Sequence, residues 1–242
     1  MKKVVIDTHD ISKTYNPETI PVHAISQVHL HIEQGEFTAL VGPSGSGKTT
    51  LLNIIGGLDR PTSGKVIING TDISGLSPGK LIKFRLHNIG FVFQSFNLIP
   101  VLTARENVEF IMVLQGVGKK EREERVRQLF QQINLADKMD TRPAQLSGGQ
   151  QQRVAVARAL ASKPQFVLAD EPTANLDTQS ASNLLDVMDK MNREENVTFI
   201  FSTHDPRVIE RARRVITLVD GKISSDTASV DTEVPHESRP RT

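Results

Sequence analysis

The chain has 242 residues, of which 38% are hydrophobic, and its 29 lysines and arginines balance 28 aspartates and glutamates to a net charge of +1. This apolar content suffices for a sizeable core and excludes wholesale disorder, while the charge balance excludes a polycation that coats nucleic acid or membranes. The absence of cysteine excludes disulfide scaffolds, thiol catalysis and cysteine-bound metal sites.

The N-terminus is basic but lacks the apolar stretch of a secretory signal, and no window approaches the ~18 apolar residues of a membrane span. We therefore expect a soluble, cytoplasmic protein that acts at a membrane only through a partner.

Patterns typical of strands and helices alternate along the chain. Alternating polarity predicts a half-buried strand at 28–32, and an apolar run predicts a strand buried on both faces at 37–41, followed by a helix that starts near Lys48. The other predicted elements are, in chain order, strands at 65–70 and 89–93, helices at about 104–114, 119–133 and 148–161, a strand at 166–169, a helix around 184–191, a strand at 197–201, a short helix opened by Asp205-Pro206 and a strand at 214–219.

This order predicts an α/β core with a parallel sheet. The all-helical block between about Ser95 and Ser162 is interpreted as a subdomain inserted into one domain that covers residues 1–223. The segment from Ser224 to Thr242 is rich in polar residues and proline, so it is predicted to be a flexible tail.

The segment from Gly42 to Thr49, GPSGSGKT, fits the pattern G-x-x-x-x-G-K-[ST] between a predicted strand and a predicted helix. Glycines let backbone N–H groups approach a phosphate, and the helix N-terminus adds positive partial charge. Lys48 is expected to bridge the β- and γ-phosphates and Thr49 to bind Mg²⁺. An accidental glycine-rich turn is the alternative, which the strand and helix context disfavours. The predicted nucleotide-binding residues of this loop are Gly42, Ser44, Gly45, Ser46, Gly47, Lys48, Thr49 and Thr50.

Two carboxylates, Asp170 and Glu171, follow the apolar strand at 166–169. Ligands bind at the carboxyl ends of parallel strands in α/β folds, so Asp170 is expected to serve Mg²⁺ and Glu171 to activate the attacking water. A solvated turn is the alternative for this pair when it is considered without the phosphate loop.

A second candidate phosphate site lies at Ser147-Gly148-Gly149-Gln150, before a helix of small residues. A serine hydroxyl and glycine N–H groups at a helix start suit an anion. The alternative is an ordinary serine N-cap followed by flexible glycines.

Taken together, these motifs resemble those of the ATP-binding-cassette (ABC) ATPases, and the resemblance extends over about 4–223. It implies a P-loop NTPase fold of the ABC type, with a parallel-sheet core, an antiparallel N-terminal β part and an inserted α-helical subdomain. It also implies a head-to-tail homodimer in which Ser147–Gln150 of one copy faces the phosphate loop of the other, so that two ATP molecules are enclosed.

Further positions match the family residue by residue. Gln94 corresponds to the glutamine that senses Mg²⁺ and the attacking water, and 174–177 to the segment that crosses the dimer interface. His204 corresponds to the histidine that contacts the γ-phosphate, and Tyr15 to the aromatic residue that stacks on adenine. The resemblance thus implies ATP and Mg²⁺ as ligands, Glu171, His204 and Gln94 as catalytic residues, and Thr49, Gln94 and Asp170 at the metal.

Among transporters the chain is most similar to the lipoprotein-releasing (LolD) and macrolide-exporter (MacB) type, through stretches such as 57–64, 93–100 and 169–177. This implies a separate transmembrane permease of FtsX/MacB-like type, driven by a mechanical stroke from the cytoplasmic face of the inner membrane. The apolar run 96–102 is a candidate docking site, or else part of the helical block's own core. The cell-division ATPase FtsE is the neighbouring alternative, and a non-transport ABC ATPase acting on nucleic acid or ribosomes is disfavoured, so no nucleic-acid partner is expected.

Overall fold

A computed structural model describes residues 3–228. The strands in this range are β1 (Val4–Tyr15), β2 (Val22–Glu33), β3 (Phe37–Val41), β4 (Ser63–Ile68), β5 (Thr71–Asp72), β6 (Ile89–Val92), β7 (Phe166–Asp170), β8 (Thr198–Ser202), β9 (Arg214–Val219) and β10 (Lys222–Ala228). The α-helices are α1 (Lys48–Ile55), α2 (Pro78–Asn88), α3 (Ala104–Leu114), α4 (Lys119–Gln132), α5 (Gly148–Ala161), α6 (Thr178–Glu195) and α7 (Pro206–Arg211), with short 3-10 turns at Ala136–Lys138 and Pro143–Gln145.

The central sheet has six strands in the order β10-β9-β3-β8-β7-β6. Five of them run parallel, and β10 at the edge pairs antiparallel with β9. A second, antiparallel sheet has the order β2-β1-β4-β5. The fold is therefore the expected α/β class, with the antiparallel N-terminal β part beside the parallel core. Because the five parallel strands share one direction, their carboxyl ends meet at one edge of the sheet.

Successive residues of the central strands face two separate hydrophobic clusters, as the period of two in a strand requires. Val167 belongs to the cluster that contains α3, α4 and α5, whereas Phe166 and Leu168 belong to the cluster beneath α1 and the antiparallel sheet. Phe199 and Ile200 divide in the same way. The helical block consequently packs on one face of the central sheet and shares its core.

The apolar strands and the three helices of the block are confirmed, with bounds that differ from the predicted ones by at most two residues. The predicted strand 28–32 is the second half of the longer β2, and the predicted helix around 184–191 lies inside α6. Sequence reasoning missed β1, α2, β5 and β10. For α2 the reason is visible, because only Leu81 of its eleven residues is buried and no apolar stripe marks the helix.

The predicted start of the tail at Ser224 was wrong, because β10 continues to Ala228. The side chains of 224–227 in β10 are polar and exposed because β10 is an edge strand, and the Arg214 Nη2–H of β9 donates to Asp226 Oδ2 at 2.7 Å. Residues 229–242 of the predicted tail lie outside the described range.

No helix within residues 3–228 is both long and apolar enough to span a bilayer.

Candidate functional site

Four segments that carry predicted site residues lie at the carboxyl edge of the parallel strands. The phosphate loop follows β3, Glu171 follows β7, His204 lies just beyond β8, and Gln94 lies just beyond β6. Ser202 of β8 is paired with Leu40 of β3 on one side and with Asp170 of β7 on the other, so these segments start at the same level. The register of the sheet thus brings together segments that are up to 162 positions apart in sequence, from Gly42 to His204.

The phosphate loop depends on glycine at positions where a side chain has no room. Gly42 and Gly47 have φ angles of 151° and 101°, and an added Cβ would lie 2.1 Å from the Leu218 carbonyl oxygen or 2.3 Å from that of Ala24. Gly45 also has a positive φ, of 79°, but a Cβ there would meet no atom within 4 Å. The loop is therefore packed tightly against β2 and β9 on one side and open on the other, as a cradle for a ligand must be.

Lys48 at the first position of α1 folds back over this loop. Its Nζ donates to the carbonyl oxygens of Gly42 at 2.8 Å and Pro43 at 3.0 Å. An ammonium group has three N–H donors, so one remains for a phosphate oxygen. Below it, the Ser46 hydroxyl is buried and has no hydrogen-bond partner among the described residues, and a bound anion or water would supply one.

A cavity of about 440 Å³ opens above the loop, in the size range of small-ligand sites. It is lined by Tyr15, Val22, His23, Ala24, Ser44, Gly45, Gly47, Lys48, Thr49, Thr50, Glu171 and Ser202. The cavity thus brings together predicted residues from the phosphate loop, the adenine side and the acidic pair. Gln94, Asp170, His204 and the motif 147–150 are not part of its lining.

Thr49 and Asp170 form the part of the site suited to a cation. The Thr49 hydroxyl donates to Asp170 Oδ1 at 3.3 Å. Burial raises the pKa of Asp170, although the nearby hydroxyl groups of Ser202 and Thr49 oppose the shift. Within residues 3–228 no group of three or more histidine or carboxylate side chains could hold a metal. One hydroxyl and one carboxylate instead fit the way in which proteins usually bind Mg²⁺, through one or two side-chain oxygens together with substrate phosphates.

Glu171 is held in an unusual backbone conformation that directs its side chain to the next strand. Its φ of 46° is in the left-handed region, which costs free energy for a residue other than glycine. The His204 Nδ1–H donates to Glu171 Oε1 at 2.7 Å, and the Thr203 hydroxyl donates to Oε2 at 3.3 Å. The carboxylate is 18% exposed whereas the imidazole is 77% exposed, so the carboxylate is oriented at the cavity and the histidine reaches into solvent.

Sequence reasoning missed the side chains that fix the loop of His204. Asp205 accepts from the Thr173 hydroxyl at 2.6 Å, which ties this loop to the segment after β7. Hydrogen bonds from Arg207, together with the one from Thr173, lower the pKa of Asp205 to about 2 against the effect of burial. The Asp-Pro pair that predicted the start of α7 was the available signal, since Asp205 is the N-cap of that helix.

Tyr15 lies at the far end of the cavity and is fixed by two residues that sequence reasoning also missed. Its hydroxyl donates to Asp59 Oδ2 at 2.8 Å, and the Lys13 Nζ lies 4.8 Å from its ring centroid and 2.7 Å from Asp59 Oδ1. Burial and the hydrogen bond to Asp59 raise the pKa of Tyr15. Burial also acts to raise the pKa of Asp59, but the hydrogen bonds donated by Lys13 and Tyr15 outweigh burial and lower that pKa. The spacing of Lys13 and Tyr15, two apart on one strand, could have indicated their shared face.

The second candidate phosphate site lies at the N-terminus of α5. The Ser147 hydroxyl accepts from the Gln150 N–H at 3.3 Å, and the Gln150 side chain accepts from the Ser147 N–H at 2.9 Å. This is a capping box, so within one chain Ser147 does act as the N-cap that was the alternative interpretation. A Cβ on Gly148 would have Phe96, Leu176 and Asn175 as its nearest neighbours, none of which belongs to the phosphate loop or lines the cavity of the same chain.

Gln94 is exposed, and its main chain is tied to the segment after β7. The Asn175 Nδ2–H donates to the Gln94 carbonyl oxygen at 3.1 Å. The structure therefore brings Gln94 to the same edge as Asp170 and Glu171, while its side chain lies outside the cavity.

Comparisons with known proteins agree with this geometry. The family model described as ABC transporter matches residues 25–174. An uncharacterized ABC transporter ATP-binding protein of Thermotoga maritima is 46% identical over 92% of this chain and 94% of its own length. The macrolide export ATP-binding/permease protein MacB of Syntrophobacter fumaroxidans is 44% identical over 97% of this chain, which spans only 33% of that protein.

Solved structures show the same similarity. A dimeric post-hydrolysis state of the ATP-binding cassette MJ0796, bound to ADP and Pi, matches 92% of this chain and 98% of its own with a TM-score of 0.83 and 41% identity. The dimeric structure of the same bacterial cassette gives a TM-score of 0.84, 42% identity and the same coverage of both chains.

Proposed function

Since the chain belongs to the ABC transporter family and is an ATP-hydrolysing cassette of it, we propose that two copies close around two ATP molecules and drive a membrane permease. The observation that carries the proposal is the position of Glu171, which His204 orients beside the phosphate loop. A carboxylate fixed in this way at the γ-phosphate end of the site can accept a proton from the attacking water.

The other residues have separable tasks in this proposal. The N–H groups of the phosphate loop and Lys48 bind the β- and γ-phosphates, and Tyr15 stacks on adenine. Thr49, Asp170 and Gln94 would hold Mg²⁺, which neutralises charge on the phosphates when it is bound. His204 keeps Glu171 in place and contacts the γ-phosphate from the exposed side. Together these groups place and polarise the reactants.

The dimer is proposed because one copy leaves the site incomplete. Ser147 and Gly148 do not line the cavity of their own chain, although a serine hydroxyl and glycine N–H groups at a helix start suit a phosphate. The solved cassette with ADP and Pi is a dimer. In a head-to-tail pair, Ser147–Gln150 of the second copy would cover the γ-phosphate of the first, and residues 174–177 would lie at the interface.

The partner is proposed to be a permease of the MacB or lipoprotein-releasing type, with the chain at the cytoplasmic face of the membrane. The MacB relatives support this, and the chain spans about a third of their length. The run 96–102 is interpreted from its sequence either as a docking site or as part of the core of the helical block. Leu98 packs against the core, whereas Val101 is 72% exposed. The exposed part of the run is the surface offered for docking.

Replacing Glu171 by Gln tests the proposal, because the amide keeps the shape of the side chain but accepts no proton. The Glu171→Gln variant should bind ATP with unchanged affinity, hydrolyse it about 10²- to 10⁴-fold more slowly and accumulate as an ATP-bound dimer. Calorimetric titration, phosphate release and size-exclusion chromatography measure the three properties.

Lys48→Ala is the matched control, since it should lose nucleotide affinity and therefore never form the dimer. Near-normal turnover by Glu171→Gln would exclude Glu171 as the base. Unchanged ATP binding by Lys48→Ala would refute the phosphate cradle.

A further inference from the structure

Gln152 is fully buried in α5 and bridges the two segments that follow β6 and β7. Its Nε2 donates to the Phe93 carbonyl oxygen at 3.1 Å and to the Pro172 carbonyl oxygen at 2.8 Å. Phe93 directly precedes Gln94, and Pro172 directly follows Glu171. One side-chain amide therefore joins the main chain next to both residues.

The chemistry of this contact admits an amide and few other groups. The NH₂ of a glutamine has two donors, and both are used here on carbonyl acceptors. The Gln152 Oε1 is buried and has no hydrogen-bond partner among the described residues. A residue that served packing alone would be apolar, since an unsatisfied buried oxygen is unfavourable. The two N–H donors are therefore what distinguishes Gln152 from an apolar residue that only packs.

Other polar contacts fix the neighbouring residues to the same group of elements. Arg158, on the same helix, donates to the carbonyl oxygens of Phe96, at 2.9 Å, and Asn97. Asn175 donates to the Gln94 carbonyl oxygen. Residues 93–97 are therefore attached to α5 at both ends, so a displacement of this segment displaces α5 and, through Gln152, the main chain beside Glu171.

We propose that Gln152 is a positioning residue that fixes the spacing between Gln94 and Glu171, so that the segment 94–102 and the catalytic carboxylate move together. The inference rests on the proposed function, because it assigns Glu171 the role of base. It adds a specific link: the amide of Gln152 sets kcat without contributing to the nucleotide contacts, since neither it nor Phe93 nor Pro172 lines the cavity.

The test replaces the amide by an unbranched apolar side chain of similar length. Gln152→Met should lower kcat for ATP about 10- to 100-fold, the cost of misplacing a reacting group, while the dissociation constant for ATP stays within about threefold. Gln115→Met is the matched control, because the Gln115 Nε2 likewise bridges two carbonyl oxygens, those of Leu86 and Ser162, at a site remote from the cavity. This control should lose thermal stability and retain kcat.

Gln152→Glu gives a second, isosteric measurement that also serves if the methionine variant fails to fold. A buried carboxylate would face two carbonyl oxygens, whereas its protonated form regains one O–H donor. The kcat of the folded Gln152→Glu variant relative to the wild type should therefore rise as the pH falls, whereas a purely structural role would change only the folded fraction and leave kcat per folded molecule unaltered.

The proposal is overturned if Gln152→Met keeps kcat within about twofold of the wild type, or if kcat and ATP affinity fall together as in Lys48→Ala. A wild-type protein that hydrolyses ATP, with Glu171→Gln inactive, would leave the proposed function intact in either case. If the wild type did not hydrolyse ATP, or if Glu171→Gln hydrolysed it as fast as the wild type, the proposed function itself would be refuted.

Discussion

Tyr15 and Asp59 are 44 residues apart, yet their side chains meet beside the cavity in a 2.8 Å hydrogen bond. Lys13 completes the cluster by contacting both the tyrosine ring and the carboxylate. Since only about a third of Tyr15 is exposed and its hydroxyl is bonded, its ring is held in one orientation. We therefore expect Asp59 to contribute to nucleotide affinity without touching the nucleotide.

Tyr15→Ala should weaken ATP binding by the free energy of stacking one base on an aromatic ring, about 1–3 kcal/mol. Asp59→Ala should weaken it less, because the ring remains but is free to rotate. Calorimetric dissociation constants measure both effects, and kcat at saturating ATP should be unchanged by Asp59→Ala. Equal affinity in the wild type and Asp59→Ala would show that the tether has no part in binding.

Asp205 predicts an acid-dependent change in stability. The pKa of Asp205 is about 2 in the folded protein and 3.8 for an aspartate in an unfolded chain. Its hydrogen bonds to Arg207 and Thr173 therefore stabilise the fold fully above pH 3.8. This contribution is lost as the pH falls from about 4 through about 2, and solvent screening limits it to about 1–2 kcal/mol. Asp205→Asn should therefore be less stable than the wild type near neutral pH.

Urea unfolding at a series of pH values measures this difference in free energy of unfolding. The gap between the wild type and Asp205→Asn should narrow towards pH 2. A gap that stays constant across the acid range would contradict the assignment of the low pKa to a stabilising bond.

Helix α5 carries several of the site's long-range connections in one element. It is capped by Ser147, carries Gln152 in its first half and Arg158 in its second, and packs against both α3 and β6. Its propensity for a helix and its capping box are properties of the local sequence. The hydrogen bonds of Gln152 and Arg158 depend on strands and loops about 20 and 60 residues away.

The N-caps of α3 and α5 allow a comparison between Thr103, which is expected only to cap its helix, and Ser147, which is also proposed to contact a phosphate. Thr103 and Ser147 each accept a hydrogen bond from the third residue of their helix. Thr103→Ala and Ser147→Ala should each lower the free energy of unfolding by about 1 kcal/mol. Only Ser147→Ala should also lower the ATPase rate, since its hydroxyl proton remains free for a phosphate.

The free energies come from denaturant unfolding and the rates from phosphate release. Equal ATPase rates in the two variants would reduce Ser147 to an ordinary helix cap, and would remove the argument for a composite site.

For the molecule as a whole, the decisive feature is that the motif 147–150 does not line the cavity of its own chain. A monomer can therefore bind ATP through its own loop but lacks the Ser147 hydroxyl and the glycine N–H groups that a second copy is proposed to add at the γ-phosphate. The specific ATPase rate should rise with protein concentration and approach a plateau as the dimer forms.

Stopped assays across a dilution series, with sedimentation at the same concentrations, test this dependence. A monomer that shows the full specific rate at the lowest concentration would contradict the dimeric mechanism. Addition of high salt provides no substitute for the dilution series, because it also screens ATP binding.

The sequence by itself determined what depends on local pattern and chemistry. Continuous apolar runs fixed the parallel strands, the glycines of 42–47 followed by Lys48 and Thr49 fixed a phosphate loop, and the Thr103 and Ser147 caps fixed helix starts. Such signals are local because strand burial, helix capping and phosphate binding each require particular residue types within a few positions.

The tertiary structure alone decided which side chains meet. Polar β10 is a strand because β9 supplies its partner, and α2 is a helix without an apolar stripe. The contacts of Asp59 with Tyr15, of Asp205 with Thr173 and of Gln152 with Pro172 arise from sheet register and from loops at one edge. No local pattern encodes them, because a hydrogen bond between distant residues leaves no periodicity in the sequence around either one.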